Sequence, residues 1–378
     1  MFLNRLKGKL AAAYVKYLVE KTEDITTPGF ILTKLAGSGC GLLLRDVFLP
    51  EDIFVKIENK VVEKYGEKGQ QILYAAGKKG GHAYAALSNF TRKSHSSKAE
   101  FEAFGWILME FIGGTYASDV VINLNTDKKR LEIKFKDFII CEKTGKGHFL
   151  TEGGIAGIWS YLTEDPTVEA IHLKCQGRGE GECHVLIQPR RDFSTPVPYN
   201  VTDLPSVSYS DEYQVYNKIN KTEYTHLTLE ELIQEQVGEY SKGKVLIKNV
   251  RHFEFDPDIL YILEKEISSV DGGEQLLFDV AYETGRSVIT ALSNPSIQLI
   301  IDYLGALGWG DTLILEDNQG YAANIRYFPW TNYSASARFI IFRGWLSGML
   351  SQVTGKEVRF NNFEANCLGG YLSITLRT

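Results

Sequence analysis

The chain has 378 residues, which is room for two or three domains. A hydrophobic fraction of 44% and a charged fraction of 23% suit a globular protein with real cores, and a net charge of -6 gives no general nucleic-acid footprint. No apolar run approaches the roughly 18 residues of a membrane span. The start of the chain lacks the layout of a secretion signal, and five cysteines cannot form a disulfide scaffold. The expectation is a soluble, cytoplasmic protein with reduced thiols and no nucleic-acid partner.

Charge is uneven. Residues 1–206 hold 27 basic against 25 acidic side chains, net +2, whereas residues 207–378 hold 14 against 22, net -8. Residues 1–35 open on an amphipathic stretch. Phe2, Leu3, Leu6, Leu10 and Leu18 share a helical stripe, with Arg5, Lys7, Lys9 and Lys16 mostly opposite. Such a helix packs on protein or makes peripheral contact with an anionic membrane.

The block at 36–192 reads as a first domain. From Gly41 it shows an apolar strand, a turn with Pro50, and helices running from Gln71. Residues 193–242 form a linker rich in Pro, Ser and Thr, with Pro196, Pro198 and Pro205. Within it Thr228 reads as an N-cap and Glu231 as its capping-box partner, opening a helix over 229–240. Residues 243–378 repeat the pattern of the first block. A strand from Lys244, a Pro turn, a helix from Gln275, an alternating strand ANIRYFP matching LEIKFKD, and a closing hairpin follow in order. Gly153 and Gly157 fall on Gly344 and Gly348 at an offset of 191. This order predicts an α+β fold of two duplicated units, each with helices first and then an antiparallel sheet. The two units can form a pseudo-dimer within one chain, or the chain a homodimer.

The sharpest chemical feature is HLKCQGRGEGECHV, His172–Val185. Cys175 and Cys183 enclose seven residues with Gly177, Gly179 and Gly181, so a tight hairpin returns one cysteine beside the other. His172 precedes Cys175 by three, and His148 lies just before the Gly153–Gly157 helix. Two thiolates and two imidazoles give zinc four donors with no net charge, a closed structural site. Buried thiols or a redox-labile disulfide are the plainer alternatives. Residues three apart on a strand face opposite ways unless a bulge intervenes, so His184 or Glu169 can replace His172. The second unit keeps Glu364 and Cys367, has Phe339 in place of His148, and lacks the second thiol. It must hold together by apolar packing.

These residues carry a resemblance. The run from Gly153 to Pro189 resembles the 4-vinyl reductase, or hydrocarbon-binding, domain family, with its G-x3-G helix and its C-x7-C pair around a Gly-rich loop. The preceding segment resembles the sensor half of phenol- and xylene-responsive bacterial activators. The resemblance implies a TRAPP-like, usually dimeric domain that binds a hydrophobic small molecule beside zinc. It places His148 where the sensors have an upstream Cys and His172 where the family has Glu.

A mostly apolar pocket is expected from Trp106, Phe111, Tyr116, Phe135 and Trp159. His82, His95, His226 and His252 carry no pattern. No GxxxxGK[ST] loop, helix-turn-helix, cofactor-binding GxGxxG or GxSxG elbow appears. A non-catalytic sensor acting through a protein partner is therefore expected. The alternatives are a TRAPP-like scaffold without ligand and a tetrapyrrole vinyl reductase-related enzyme.

Overall fold

The structure is a computed structural model and describes residues 22–34, 43–145, 147–207, 222–236, 238–241, 244–318, 320–330, 336–368 and 371–378. The amphipathic stretch predicted at the start of the chain lies outside them. In chain order the strands are β1 Thr22–Asp24, β2 Ile31–Lys34, β3 Leu43–Pro50, β4 Ser118–Asn125, β5 Arg130–Lys136, β6 Val168–Lys174 and β7 Cys183–Pro189. They continue as β8 Glu239–Ser241, β9 Lys244–Ile247, β10 Val250–Phe255, β11 Asp311–Asp317, β12 Gly320–Phe328, β13 Asn362–Leu368 and β14 Tyr371–Arg377. The helices are α1 Glu51–Tyr65, α2 Glu67–Leu87, α3 Lys98–Tyr116, α4 Cys141–Thr144, α5 Phe149–Thr163 and α6 Leu229–Glu235. They continue as α7 Pro257–Ser268, α8 Gly273–Ala291, α9 Ile297–Ala306 and α10 Ile340–Thr354.

The fold is α+β with antiparallel sheets, and it divides into two compact units. The described residues of 58–209 belong to the first; 23–33, 43–57 and the described residues of 210–378 belong to the second. Residues 43–57 thus fall in the second unit, whereas a division of the chain into consecutive blocks assigns them to the first. The reason is strand pairing. β3 runs antiparallel to β10, with Leu49 opposite Phe253 and Val47 opposite Phe255, in a sheet of order β1-β2-β3-β10-β9-β8. These side chains are buried, and Phe54 packs 4.9 Å from Phe253.

In the first unit the sheet order is β4-β5-β7-β6. Leu131, Ile133 and Phe135 of β5 alternate with exposed or half-buried neighbours, so one face is apolar. They pair with Ile187, Val185 and Cys183 of β7. Helix α5 buries Ile155, Ala156, Trp159 and Leu162, and packs on α2 through its glycines. A Cβ on Gly157 would stand 2.0 Å from the Lys78 carbonyl oxygen, inside any possible contact. Gly157→Ala is therefore expected to push the helices apart and cost about 1–3 kcal/mol. Gly154→Ala on the same helix meets its nearest atom at 3.9 Å and should be nearly neutral. Chemical denaturation of the two variants checks this, and equal losses would refute the packing argument.

The second unit repeats the arrangement with sheet order β11-β12-β14-β13 and with α10 on α8. A Cβ on Gly344 would lie 2.4 Å from Phe278 O, and one on Gly348 2.0 Å from Tyr282 O. Its core is aromatic. Phe339 lies 5.3 Å from Phe328, 5.4 Å from Trp330 and 5.5 Å from Phe363, ring centre to ring centre. Trp309 stacks on Phe342 at 5.1 Å. The predicted capping box is present in the linker region, with Thr228 N donating to Glu231 Oε2 at 2.9 Å and Glu231 N to Thr228 Oγ1 at 3.2 Å. The helix it opens, α6, stops at Glu235, earlier than its apolar spacing predicts.

One buried carboxylate recurs. Glu264 of α7 accepts from Ile341 N at 2.6 Å, at the first turn of α10. Burial pushes its pKa up to about 7, against the pull of the Ile341 and Ile340 amides. The folded value exceeds the unfolded one, so between pH about 4.5 and 7 the folded state binds the extra proton. Stability should fall across that window as pH rises, by at most about 1.4 kcal/mol per pH unit. Glu264→Gln keeps the acceptor and should flatten that slope in denaturation series at different pH.

Candidate metal centre

Four donors meet in the first unit: Cys141 Sγ, His172, Cys175 Sγ and Cys183 Sγ, all within 4.8 Å of one another and all on buried residues. They come from three places. Cys141 opens the short helix α4 after Ile140, whose φ of 72° turns the chain. His172 lies on β6. Cys175 and Cys183 flank the Gly-rich hairpin, which folds through a 3-10 turn at Gln176–Arg178 and then Gly179 and Gly181 at φ 78° and 77°.

The facing problem on β6 is solved by a bulge. His172 pairs with Val185 and Lys174 with His184, so the register shifts between them. Leu173 is the extra residue and is 44% exposed. The slip brings His172 and Cys175 to the same site. His184 instead sits half-buried opposite Lys174. Glu169 is taken by Lys78 and Tyr74. Neither substitute ligand joins the group.

Gly177 makes the approach of α4 possible. A Cβ there would lie 2.2 Å from Cys141 O and 2.8 Å from Thr144 Oγ1. The hairpin is braced by Glu180, whose Oε2 accepts from Cys175 N at 2.7 Å and from Arg178 Nε at 3.0 Å. Arg178 Nη2 reaches His172 O at 3.2 Å, and Gln176 N points at Cys183 Sγ at 3.5 Å.

The dimensions fit a tetrahedral ion. Thiolates about 2.3 Å from zinc stand about 3.8 Å apart. Cys175 Sγ and Cys141 Sγ are 3.8 Å apart, and Cys141 Sγ is 3.9 Å from His172 Nε2. Glu152 Oε1 faces His172 Nδ1 at 2.8 Å and accepts from His172 N at 2.8 Å. That network fixes the ring through Nδ1 and aims Nε2 at the sulfurs, so that a cation displacing the Nε2 proton would find a histidine held from behind by a carboxylate, as metal-bound histidines commonly are. Cys3His is an accepted structural zinc set.

Electrostatics points the same way. Three sulfurs around one point cannot all ionise without a cation. Hydrogen bonds from Cys141, Cys175 and His172 pull the Cys183 thiol far below its ordinary range, against burial. Cys141 is pushed well up by its contacts with Cys175 and Cys183 and by burial. The Cys175 thiol, drawn down by Cys141 but raised more by Cys183 and burial, stands at about 11. Burial disfavours the His172 imidazolium, yet Cys183 and Glu152 outweigh it and lift its pKa to about 9. One sulfur carries the charge until a cation can share the others.

His148, expected as the fourth ligand, is not in the group. It precedes α5 and its Nδ1 pairs with Glu58 Oε1 at 2.7 Å, both residues 2% exposed. Glu58 Oε1 also accepts from Leu150 N at 2.9 Å, the counterpart of Glu264 with Ile341. Cys141 takes the place given to His148. The donor set thus carries three thiolates, one more negative charge than the neutral set read from sequence. Cys141 is 34 positions from Cys175, outside any spacing motif. Its signal was being one of two cysteines that precede α5, with Cys40, and the nearer of them to it.

Of the five aromatics expected to line a pocket, Phe135 is buried against Phe138 at 4.7 Å. Trp159 is wholly buried, its indole donating to Lys129 O at 2.9 Å. Trp106 and Tyr116 on α3 are half-buried, and the side chain of Phe111 lies outside the described residues. Among the described residues no helix is long and apolar enough to cross a membrane.

No family model and no curated protein matches the chain. Among solved structures the chain is similar to the phenol-responsive sensory domain of the transcription activator PoxR, solved with phenol, at 19% identity over 43% of this chain and 87% of that one, with a TM-score of 0.33.

Proposed function

We propose that this protein is a non-catalytic small-molecule-binding protein whose first unit is held by a structural zinc on Cys141, His172, Cys175 and Cys183, and which reports through a protein partner. The observation that carries the reading is the buried four-donor group with a carboxylate behind its histidine. Four protein donors fill a tetrahedron and leave no position for an activated water, which favours a structural over a catalytic ion.

The ligand side of the reading rests on a second feature. Glu58 Oε2 is buried and has no hydrogen-bond partner among the described residues. Its other oxygen holds His148, whose ring stands 6.4 Å from Phe138, which in turn stacks on Phe135. Buried orphan acceptors are rare and call for a donor. A hydrophobic ligand carrying one hydroxyl would satisfy Glu58 and lie against these rings. In the second unit Phe339 fills the place of His148 with aromatic packing. On this reading one unit binds and its sibling keeps the architecture.

Native mass spectrometry of the purified full chain tests the proposal. The expected spectrum shows one zinc per chain and a retained small organic mass. A folded chain free of metal would overturn the zinc reading. Zinc with no organic mass, together with bound partner chains, would favour the scaffold alternative.

A further inference from the structure

The second unit holds a pocket of about 200 Å³ where the starts of α8, α10 and β13 converge. Three arginines line it, Arg338, Arg343 and Arg359, against one carboxylate, Glu274, with Gln275, Phe278, Ile340 and Asn361 completing the wall. This concentration of guanidinium stands out in a half of the chain whose net charge is -8.

The three arginines are not equivalent. Arg338 pairs with Glu274, and its side chain is 56% exposed. Arg359 pairs with Glu357 at 2.7 Å and with Asp279 at 3.5 Å, and lies over Phe278 and Tyr282 at 5.5 and 5.2 Å. Arg343 is 8% exposed and makes no ion pair among the described residues. Its Nη1 donates to the carbonyls of Phe360 at 3.3 Å and Asn361 at 2.9 Å, its guanidinium sits 5.1 Å above Phe363, and its Nε has no acceptor among the described residues. A buried, permanently charged group whose hydrogen bonds go to backbone carbonyls, with Glu264 and Glu274 acting on it as nearby counter-charges, still has part of its fork to offer an anion.

We propose that this pocket binds a phosphate-bearing small molecule, with Arg343 at the floor and Arg338 and Arg359 at the rim gripping the phosphate. A phosphate monoester offers three terminal oxygens and close to two negative charges at neutral pH, matching three forked donors that can exchange their present carboxylate partners Glu274, Glu357 and Asp279 for it. A carboxylate brings one charge and two oxygens. The amide of Asn361 supplies a further donor, and Phe278 a flat surface for the organic remainder. The site lies wholly in the second unit and stands or falls independently of the zinc centre.

The test is calorimetric titration of the full chain with inorganic phosphate and with acetate, at constant ionic strength set by chloride. Saturable one-to-one binding of phosphate, at least tenfold tighter than acetate, is expected. Arg338→Gln and Arg359→Gln, at accessible side chains, should each weaken phosphate about fivefold or more while leaving the unfolding temperature in chloride little changed. Glu274→Gln removes a competing carboxylate and should tighten binding. Arg343→Lys keeps the charge but loses the fork and should weaken it. Absence of saturable binding overturns the proposal, as does acetate binding as tightly as phosphate. So does equal stabilisation of wild type and both rim variants, which is the general effect of an excluded salt.

Discussion

Cys141→Ala is expected to strip the purified chain of zinc, and His148→Gln to leave it fully loaded. The contrast is sharp because both residues are buried and seven positions apart, yet only Cys141 reaches the other donors. Removing it leaves Cys175, Cys183 and His172, a three-ligand set with an open position that holds zinc more weakly. Structural zinc sites contribute about 10–16 kcal/mol of apparent binding free energy at neutral pH, and that energy is coupled to folding. Losing tight binding should therefore cost the first unit several kcal/mol, read as a lower denaturation midpoint and as unfolding by chelator. His148→Gln breaks the pair with Glu58 and lowers stability without changing the ratio of zinc to protein. Elemental analysis beside denaturation separates the two effects. Zinc retained by Cys141→Ala and lost by His148→Gln would restore His148 as the ligand and refute the geometry described above.

The hairpin was legible in the sequence because a glycine-rich link between two cysteines admits few folds, and both thiols lie where that pattern put them. His172 was legible as a candidate but its facing was not. The bulge at Leu173 depends on pairing with β7, and strand periodicity alone argued against it. Cys141 was invisible to spacing because α4 joins the site through a tertiary approach that Gly177 permits. His148 was correctly located at the head of the glycine helix. Its partner Glu58 lies 90 residues away, and only the parallel role of Glu264 reveals why an acid recurs there. The duplication was legible because Gly153 and Gly157, like Gly344 and Gly348, must let two helix backbones touch, a demand no other residue meets. Membership of residues 43–57 in the second unit was not. It follows from β3 pairing with a strand some 200 positions away, and local patterns carry no record of so distant a partner.

The second large effect is expected at Lys78→Met. Lys78 Nζ lies 2.9 Å from Glu169 Oε1 with both side chains fully buried, and it also donates to Pro166 O at 3.0 Å. Burial pulls the ammonium below its ordinary pKa range, and Glu169 pulls it back. The carboxylate is shared further. Tyr74 donates to Glu169 Oε2 at 2.7 Å and Val201 N to Oε1 at 3.1 Å, while Ala170 N donates to the Tyr74 hydroxyl at 2.9 Å. Tyr74 in turn stacks on Tyr199 with ring centres 3.6 Å apart. This network ties α2, β6 and the segment around residues 199–201 together at the back of the glycine helix. Removing the lysine leaves a buried carboxylate with two neutral donors and no counter-charge. A loss of about 3–5 kcal/mol is expected. The pair itself is not strongly stabilising, because each ion gave up its hydration to be there. Lys78→Met combined with Glu169→Gln should therefore recover most of the loss: the glutamine carbonyl still accepts from Tyr74 or Val201, and no charge is stranded. A double-mutant cycle by chemical denaturation measures the coupling. If the single substitution costs under 1 kcal/mol, or the double variant is weaker than Lys78→Met alone, the buried ion pair does not control the stability of this unit.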